Sequence, residues 1–247
     1  MAIEHTEAVV VRGVDYSQTS RIVTFVTPRR GRVACLVKGA RRAGSNAAAA
    51  LDTFNRVEIG LVWKDSRSVQ TLTDCSAIDA YPALKADLDK GACGAVALEI
   101  ASRTAHENEP SEALFAALVQ GLEGLAAWSG PAELYTCRVV LRLLAAAGFA
   151  PTLDRCCVTG AVIDGACGFS LDGGVTRVAV KIDCDLAAPE LALLQQLAGD
   201  GACPETGAGA KLLQLLCAYT ERQMDFTLRS ARVLDQLREK AGAVPVD

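Results

Sequence analysis

A change of hydrophobic period near residue 80 constrains this chain more than any other feature. Before it, apolar residues alternate with a period of two; after Tyr81-Pro82 they recur with helical spacing. The first part reads as strands. Ala8 to Val11 with Val14 is a β-branched run, and Arg21 to Thr27 alternates. Pro28-Arg29-Arg30-Gly31 is a turn, and Arg32 to Lys38 alternates again, so these two runs predict a hairpin. A basic loop follows from Gly39 to Ala50, then strands at Phe54 to Trp63 and Ser68 to Leu72. Five strands without a long helix predict a small antiparallel barrel. An OB-fold fits that size, and a five-stranded SH3-like barrel is the rival.

The second part predicts helices. One runs from about Ala95 to Ala105, where Glu107 to Pro110 stops it. The next starts at Ser111-Glu112 and carries Leu114, Phe115, Leu118, Leu122 and Leu125 on one face. A third covers Leu134 to Ala147 and is closed by Gly148. Three more cover Glu190 to Leu197, Lys211 to Met224 and Leu228 to Lys240. The expected class is α+β and multidomain, with a barrel over 1–80 and a helical domain over 81–247. An irregular, cysteine-bearing insertion, outwardly like a degenerate zinc finger, interrupts the latter at about 150–185.

Charge is distributed unevenly. The 247-residue chain has a net charge of −4, yet Arg12 to Arg42 holds eight basic residues against Asp15 alone, or +7, leaving −11 for the remainder. A basic surface on an acidic body suits a polyanion. The phosphate candidates are Arg21 and Lys38, then Arg41 and Arg42, with Arg12, Arg29, Arg30 and Arg32 in the same block; Tyr16 is a candidate to stack on a base. The competing reading is a protein-only adaptor whose basic barrel meets an acidic protein partner.

Several chemistries have no residues to support them. There is no Walker-type G-x4-G-K-[ST] and no G-x-S-x-G elbow. With two histidines, His5 and His106, a His-rich metal site is excluded. Cys137 with His106 lacks an activating motif. The ten cysteines form no disulfide scaffold and suit a reducing compartment. Cys35, Cys75, Cys93, Cys137 and Cys217 sit in apolar patterns as core residues. Cys156, Cys157, Cys167 and Cys184 cluster in the insertion, but Thr159 stands where a zinc knuckle needs a second sulfur, and neither Cys167 nor Cys184 has a C-x2-C partner. The expectation is a binding protein rather than an enzyme, without metal or other cofactor. With no secretory signal and no apolar run long enough for a span, it is expected in the cytoplasm.

The stretch from Val9 to Arg42 resembles the RecO family of bacterial recombination mediators. Tyr16 to Ile22, the Thr27 to Arg32 turn and Val37 to Arg42 follow the family's order and spacing, and Phe54 to Glu58 continues it. Tyr135 to Leu144 followed by Ala147 to Pro151 is similar to the family's helix ending in L-G-Y/F-x-P, and Arg229-Ser230 with Val233-Leu234 to its final helix. Many members carry a four-cysteine zinc finger, from which this chain departs. The resemblance implies an OB-fold followed by a helical domain in a cytoplasmic, nucleoid-associated protein. It implies binding of single- and double-stranded DNA, annealing of complementary strands, and work with RecR, and in many organisms RecF. The family helps RecA replace single-stranded-DNA-binding protein, whose acidic carboxyl tail it also binds. For that tail the candidates are Arg138 and Arg142, four residues apart on one helix face among Leu134, Val139, Leu141 and Leu143.

Overall fold

The computed structural model describes residues 3–40 and 49–242. The chain forms two compact units, one of Met1–Ala86 with Ala101–Ala126, the other of Asp87–Ile100 with Ala127–Asp247. Residues 101–126, which periodicity alone assigns to the helical part, thus pack with the strands.

The first unit is built on five strands: β1 (Ile3–Asp15), β2 (Arg21–Thr27), β3 (Gly31–Val37), β4 (Arg56–Val62) and β5 (Val69–Asp79). They close into a barrel in the order β1-β2-β3-β5-β4. β1 pairs antiparallel with both β2 and β4, and β3 pairs parallel with β5. This order is that of the OB-fold, and the SH3-like alternative falls. The alternation read in the sequence is real. In β3, Gly31, Val33, Cys35 and Val37 are buried while Arg32, Ala34 and Leu36 are half-exposed. Ala8, Val10, Val23, Phe25, Val33, Val57, Ile59 and Leu61 fill the interior. Each fully buried aliphatic or aromatic side chain contributes roughly 1.5–3 kcal/mol relative to exposure. β5 continues well beyond Leu72 because its polar second half pairs with β4 through main-chain bonds that hydropathy does not report.

The β2–β3 turn is fastened from outside. Arg32 N donates to His106 O (3.3 Å), Asn108 N to Arg30 O (3.0 Å) and Ser111 N to Pro28 O (2.8 Å). Gly31 adopts φ 57°, and a Cβ there would collide with the His106 carbonyl oxygen. Glycine is therefore required twice, by its dihedral and by the close approach.

The helices are α1 (Pro82–Ala86), α2 (Leu88–Thr104), α3 (Glu112–Ala127), α4 (Ala132–Ala146), α5 (Ala188–Ala198), α6 (Gly209–Met224) and α7 (Arg229–Gly242). α2 begins seven residues before the Ala95 expected, because Gly91 and Gly94 dilute its apolar pattern while the Asp87 carboxylate accepts from Asp89 N and Lys90 N and caps it. In the second unit α4 packs against α6 and α5 and is buried on nearly every side. The Glu99 carboxylate accepts from Arg229 N, Ser230 N and the Ser230 hydroxyl, satisfying two of the orphan N–H donors of α7. The insertion forms a small sheet of β6 (Cys167–Ser170), β7 (Gly174–Thr176) and β8 (Cys184–Leu186), ordered β7-β6-β8. Phe169 of that sheet meets Tyr219 of α6 edge-on at 5.7 Å.

Replacing Gly31 with alanine is expected to destabilise the protein by about 2–4 kcal/mol, the sum of a left-handed backbone penalty and a backbone clash. Urea unfolding followed by circular dichroism reads it. A loss below about 0.5 kcal/mol, the scale of a neutral surface change, would mean that the turn and residues 106–111 move apart freely.

Candidate nucleic-acid interface

The hairpin divides the basic block between two ends of the barrel. β2 has seven residues, and at about 3.3 Å per residue its ends lie roughly 20 Å apart. At its first end are Tyr16, Arg21 and Lys38, at the other are Arg29, Arg30 and Arg32, and Arg12 lies midway, opposite Thr24.

The first end carries exposed side chains. After β1 the chain turns through Tyr16 to Ser20, where Tyr16 N and Ser17 N both donate to Ser20 O. This turn leaves the Tyr16 side chain projecting, 66 % exposed. Arg21 stands opposite both Asp15 on β1 and Val37 on β3. Its Nε is 3.2 Å from the Asp15 carboxylate, and its guanidinium lies over Gly13, where a Cβ would be 2.8 Å from Nη2. Lys38 follows directly after β3 and is exposed, as is Arg12 opposite Thr24.

The second end is largely committed to the fold. Arg30 grips the Glu4 carboxylate with Nη2 (2.7 Å) and Nε (3.3 Å), and its guanidinium sits 4.4 Å over the Trp63 ring. Arg32 donates to Ser102 O and to Glu107, both at 3.3 Å. Among the described residues, Arg12, Arg29 and Lys38 make no ion pair. Arg41 and Arg42 lie outside the described residues. Lys64 and Arg67, between β4 and β5, are two further cations with no ion pair among the described residues. They fall outside the basic block, and the signal that could have found them is their place in the β4–β5 loop of an OB barrel, one of the loops that such folds use for binding.

In the second unit, Arg138 and Arg142 do share one face of α4. The segment after α5 covers them. Arg138 is 6 % exposed, and its Nη1 donates to Gly201 O at 2.6 Å, while Nε and Nη2 are buried without a partner among the described residues. Arg142 is less enclosed and meets the Asp200 carboxylate at 3.6 Å. Arginines on a partly apolar helix read as a surface pair; here α4 is central, so only Arg142 retains a path to solvent.

The insertion thiols diverge. Cys156 Sγ is 3.5 Å from the Thr176 hydroxyl, while Cys157 Sγ turns to Gly174 O at 3.7 Å. Thr159 and Thr176 hydroxyls and the Arg177 backbone hold the Cys156 thiol down at about 6, below the usual 9.0. Burial instead pushes Cys35 up to about 12, and Cys93 likewise to about 12, as core thiols. Among the described residues no group of three or more His, Cys, Asp or Glu side chains is placed to hold a metal ion, and no helix is long and apolar enough to cross a membrane.

Comparison with known proteins places the chain in one family. Residues 1–81 match the family model described as Recombination protein O N terminal, and residues 85–232 match Recombination protein O C terminal. The chain belongs to the RecO family. It is similar to the DNA repair protein RecO of Anaeromyxobacter sp. (strain K), 31 % identical over 95 % of this chain and 97 % of that one. RecO of Exiguobacterium sibiricum is 32 % identical over 95 % and 97 %, and RecO of Nocardioides sp. 32 % over 93 % and 98 %. In this RecO-family chain the Thr159 and Thr176 hydroxyls converge on the Cys156 sulfur.

That convergence makes stability depend on pH. The folded thiol titrates near 6, and unfolding returns it to about 8.5. Between the two, the unfolded chain holds a proton that the native chain lacks, so this contribution is complete above about pH 8.5 and lost as pH falls through the folded value. Urea midpoints measured from pH 5 to 9 should rise with pH over this window, and Thr176→Val should flatten the rise. Identical profiles for the two proteins would refute the assignment.

Proposed function

We propose that this chain is a DNA-binding recombination mediator of DNA repair in a RecF-type pathway. In this reading it binds single- and double-stranded DNA and anneals complementary strands. With RecR it helps load RecA onto DNA coated by single-stranded-DNA-binding protein, with RecF as a further partner, in the cytoplasm at the nucleoid. It acts by binding, not by catalysis, and carries no cofactor. The observation that carries the reading is a set of exposed groups on the barrel: Arg12, opposite the middle of β2, and Lys38, at its first end, make no ion pair among the described residues, and Tyr16 projects at that same end. Cations free of internal carboxylates can neutralise phosphates without first losing a partner, and an exposed ring can receive a base. The homologues named DNA repair protein RecO support the same reading.

Arg21 adds charge at this end. Arg29, with Arg41 and Arg42, completes the set of proposed phosphate contacts, and Arg30 and Arg32 serve mainly to hold the second end of the hairpin. For the acidic tail of single-stranded-DNA-binding protein, Arg142 is the residue that meets a carboxylate, and Arg138 supports the overlying segment through Gly201. A bound tail replaces the Asp200 carboxylate on Arg142.

Salt-dependent binding tests the first part. Each phosphate neutralised on a single strand contributes about −0.7 to the slope of log K against log salt. Arg12→Ala with Lys38→Ala should therefore flatten the slope by about 1.4 and weaken binding at every sequence. Wild-type slope and affinity in the double variant would remove these two residues from the DNA site, and binding of an acidic protein without DNA binding would favour the adaptor.

The tail contact is read by anisotropy with a labelled acidic peptide. Arg142→Ala should weaken binding by about 1–3 kcal/mol, the range for a charge-assisted hydrogen bond. DNA binding should not change. Unaltered peptide affinity would place the tail elsewhere.

A further inference from the structure

The geometry points to a second nucleic-acid subsite, a pocket for one unpaired base in the hollow beside Trp63 and the β4–β5 loop. The hollow, of about 250 Å³, lies between β3 and that loop, with Asn108 on its rim. The inference rests on the reading of the barrel as a single-strand binder and assigns it a place that the basic block does not contain.

The loop is preformed. The buried Gln70 carboxamide accepts from Lys64 N (2.9 Å) and donates to Lys64 O (3.0 Å) and Arg67 O (2.8 Å). Trp63 is held by its Nε1 donating to Asp65 at 2.7 Å and by Arg30 over its ring. A site already shaped loses little freedom on binding.

The acids of the lining are occupied. Asp65 accepts from Trp63, and Glu107 accepts from Arg32. The side-chain donors that remain without a partner among the described residues are the Arg67 guanidinium, the Ser66 and Ser68 hydroxyls and the Asn108 carboxamide. Asn108 is fixed in place by its own N–H on Arg30 O and by a left-handed φ of 64°. The Trp63 side chain on the lining, neutral hydrogen-bonding groups and one free guanidinium match a nucleobase with its phosphate. A bare polyanion would need more free charge, and a charged peptide would meet two carboxylates already satisfied.

Position supports this ligand. The hollow lies at the Arg29 end of the hairpin, one strand length from Tyr16. A single strand crossing the β2–β3 face between them stays within the about 4 to 16 nucleotides that one OB barrel covers. The two free cations of the loop, Lys64 and Arg67, extend the phosphate path at the end where Arg30 and Arg32 are engaged elsewhere.

The test uses the full chain with Trp128→Phe, which leaves Trp63 as the single indole. Short oligothymidylate should bind about tenfold more tightly than an abasic strand of equal length, the scale of one base contact. Only the first should change Trp63 emission. Ser66→Ala with Ser68→Ala should reduce affinity for oligothymidylate severalfold, with little effect on the abasic strand. Circular dichroism first confirms that the variants fold, and the comparison of the two strands needs no loop variant at all. Equal affinity for both strands with unchanged emission overturns the pocket, and it does so alone if Arg12→Ala with Lys38→Ala still weakens binding. Failure of the chain to bind either strand overturns the single-strand reading and the pocket together. A change in Trp63 emission with an acidic peptide, and none with DNA, assigns the hollow to a protein partner and also overturns the inference.

Discussion

The barrel unit depends on the pairing of β1 with two neighbours at once. β1 has thirteen residues, and its first half pairs with β4 while its second half pairs with β2. A register shift between Val10 and Arg12 lets it turn from one partner to the other. The parallel contact of β3 with β5 completes the ring. Closure pairs every strand with two neighbours, although β5 meets β3 only over Val69–Thr71. It also fixes where the loops emerge. The β1–β2 turn and the β4–β5 loop come out at opposite ends of the β2–β3 hairpin, and the proposed chemistry lies at those two ends.

The two ends hold their cations differently, and the reason is competition for carboxylates. At the Arg29 end, Glu4 and Glu107 reach Arg30 and Arg32, and these partly exposed pairs are worth at most about 1 kcal/mol each. Their value lies in fixing the turn against residues 106–111, together with the three main-chain bonds. At the Tyr16 end Asp15 meets Arg21, while Lys38 makes no ion pair among the described residues. The positive field of that end is thus left to act on a ligand, and such a field speeds encounter as much as it adds affinity. The same barrel therefore carries ion-paired cations and cations with no ion pair among the described residues, which residue type alone does not distinguish.

In the second unit the controlling fact is the burial of α4. Leu134, Val139, Leu141 and Leu143 are all buried, so the arginines on this helix cannot stand on an open face. The guanidinium of Arg138 is satisfied at one nitrogen by Gly201 and leaves two buried donors without partners among the described residues. Unsatisfied buried donors are costly, which makes the segment over Arg138 and Arg142 a place where the fold holds an arrangement it does not stabilise fully.

Much of the architecture was legible in the residues themselves. Alternation from Arg21 to Lys38, the Pro28 to Gly31 turn and the helical spacing after Pro82 follow from local geometry, and local geometry is what a sequence encodes most directly. The basic block and Tyr16 were legible for the same reason, as adjacent residues of one type. The starts of α2 and the length of β5 were not, because a carboxylate cap and a polar strand carry no hydropathy signal. Nor could the chain by itself divide its arginines. Glu4 lies 26 residues from Arg30, Glu107 lies 75 from Arg32, and Gly201 lies 63 from Arg138. Which cation is neutralised, which is buried and which stays free is decided by groups distant in sequence that only the closed barrel and the packed helices bring within hydrogen-bonding reach.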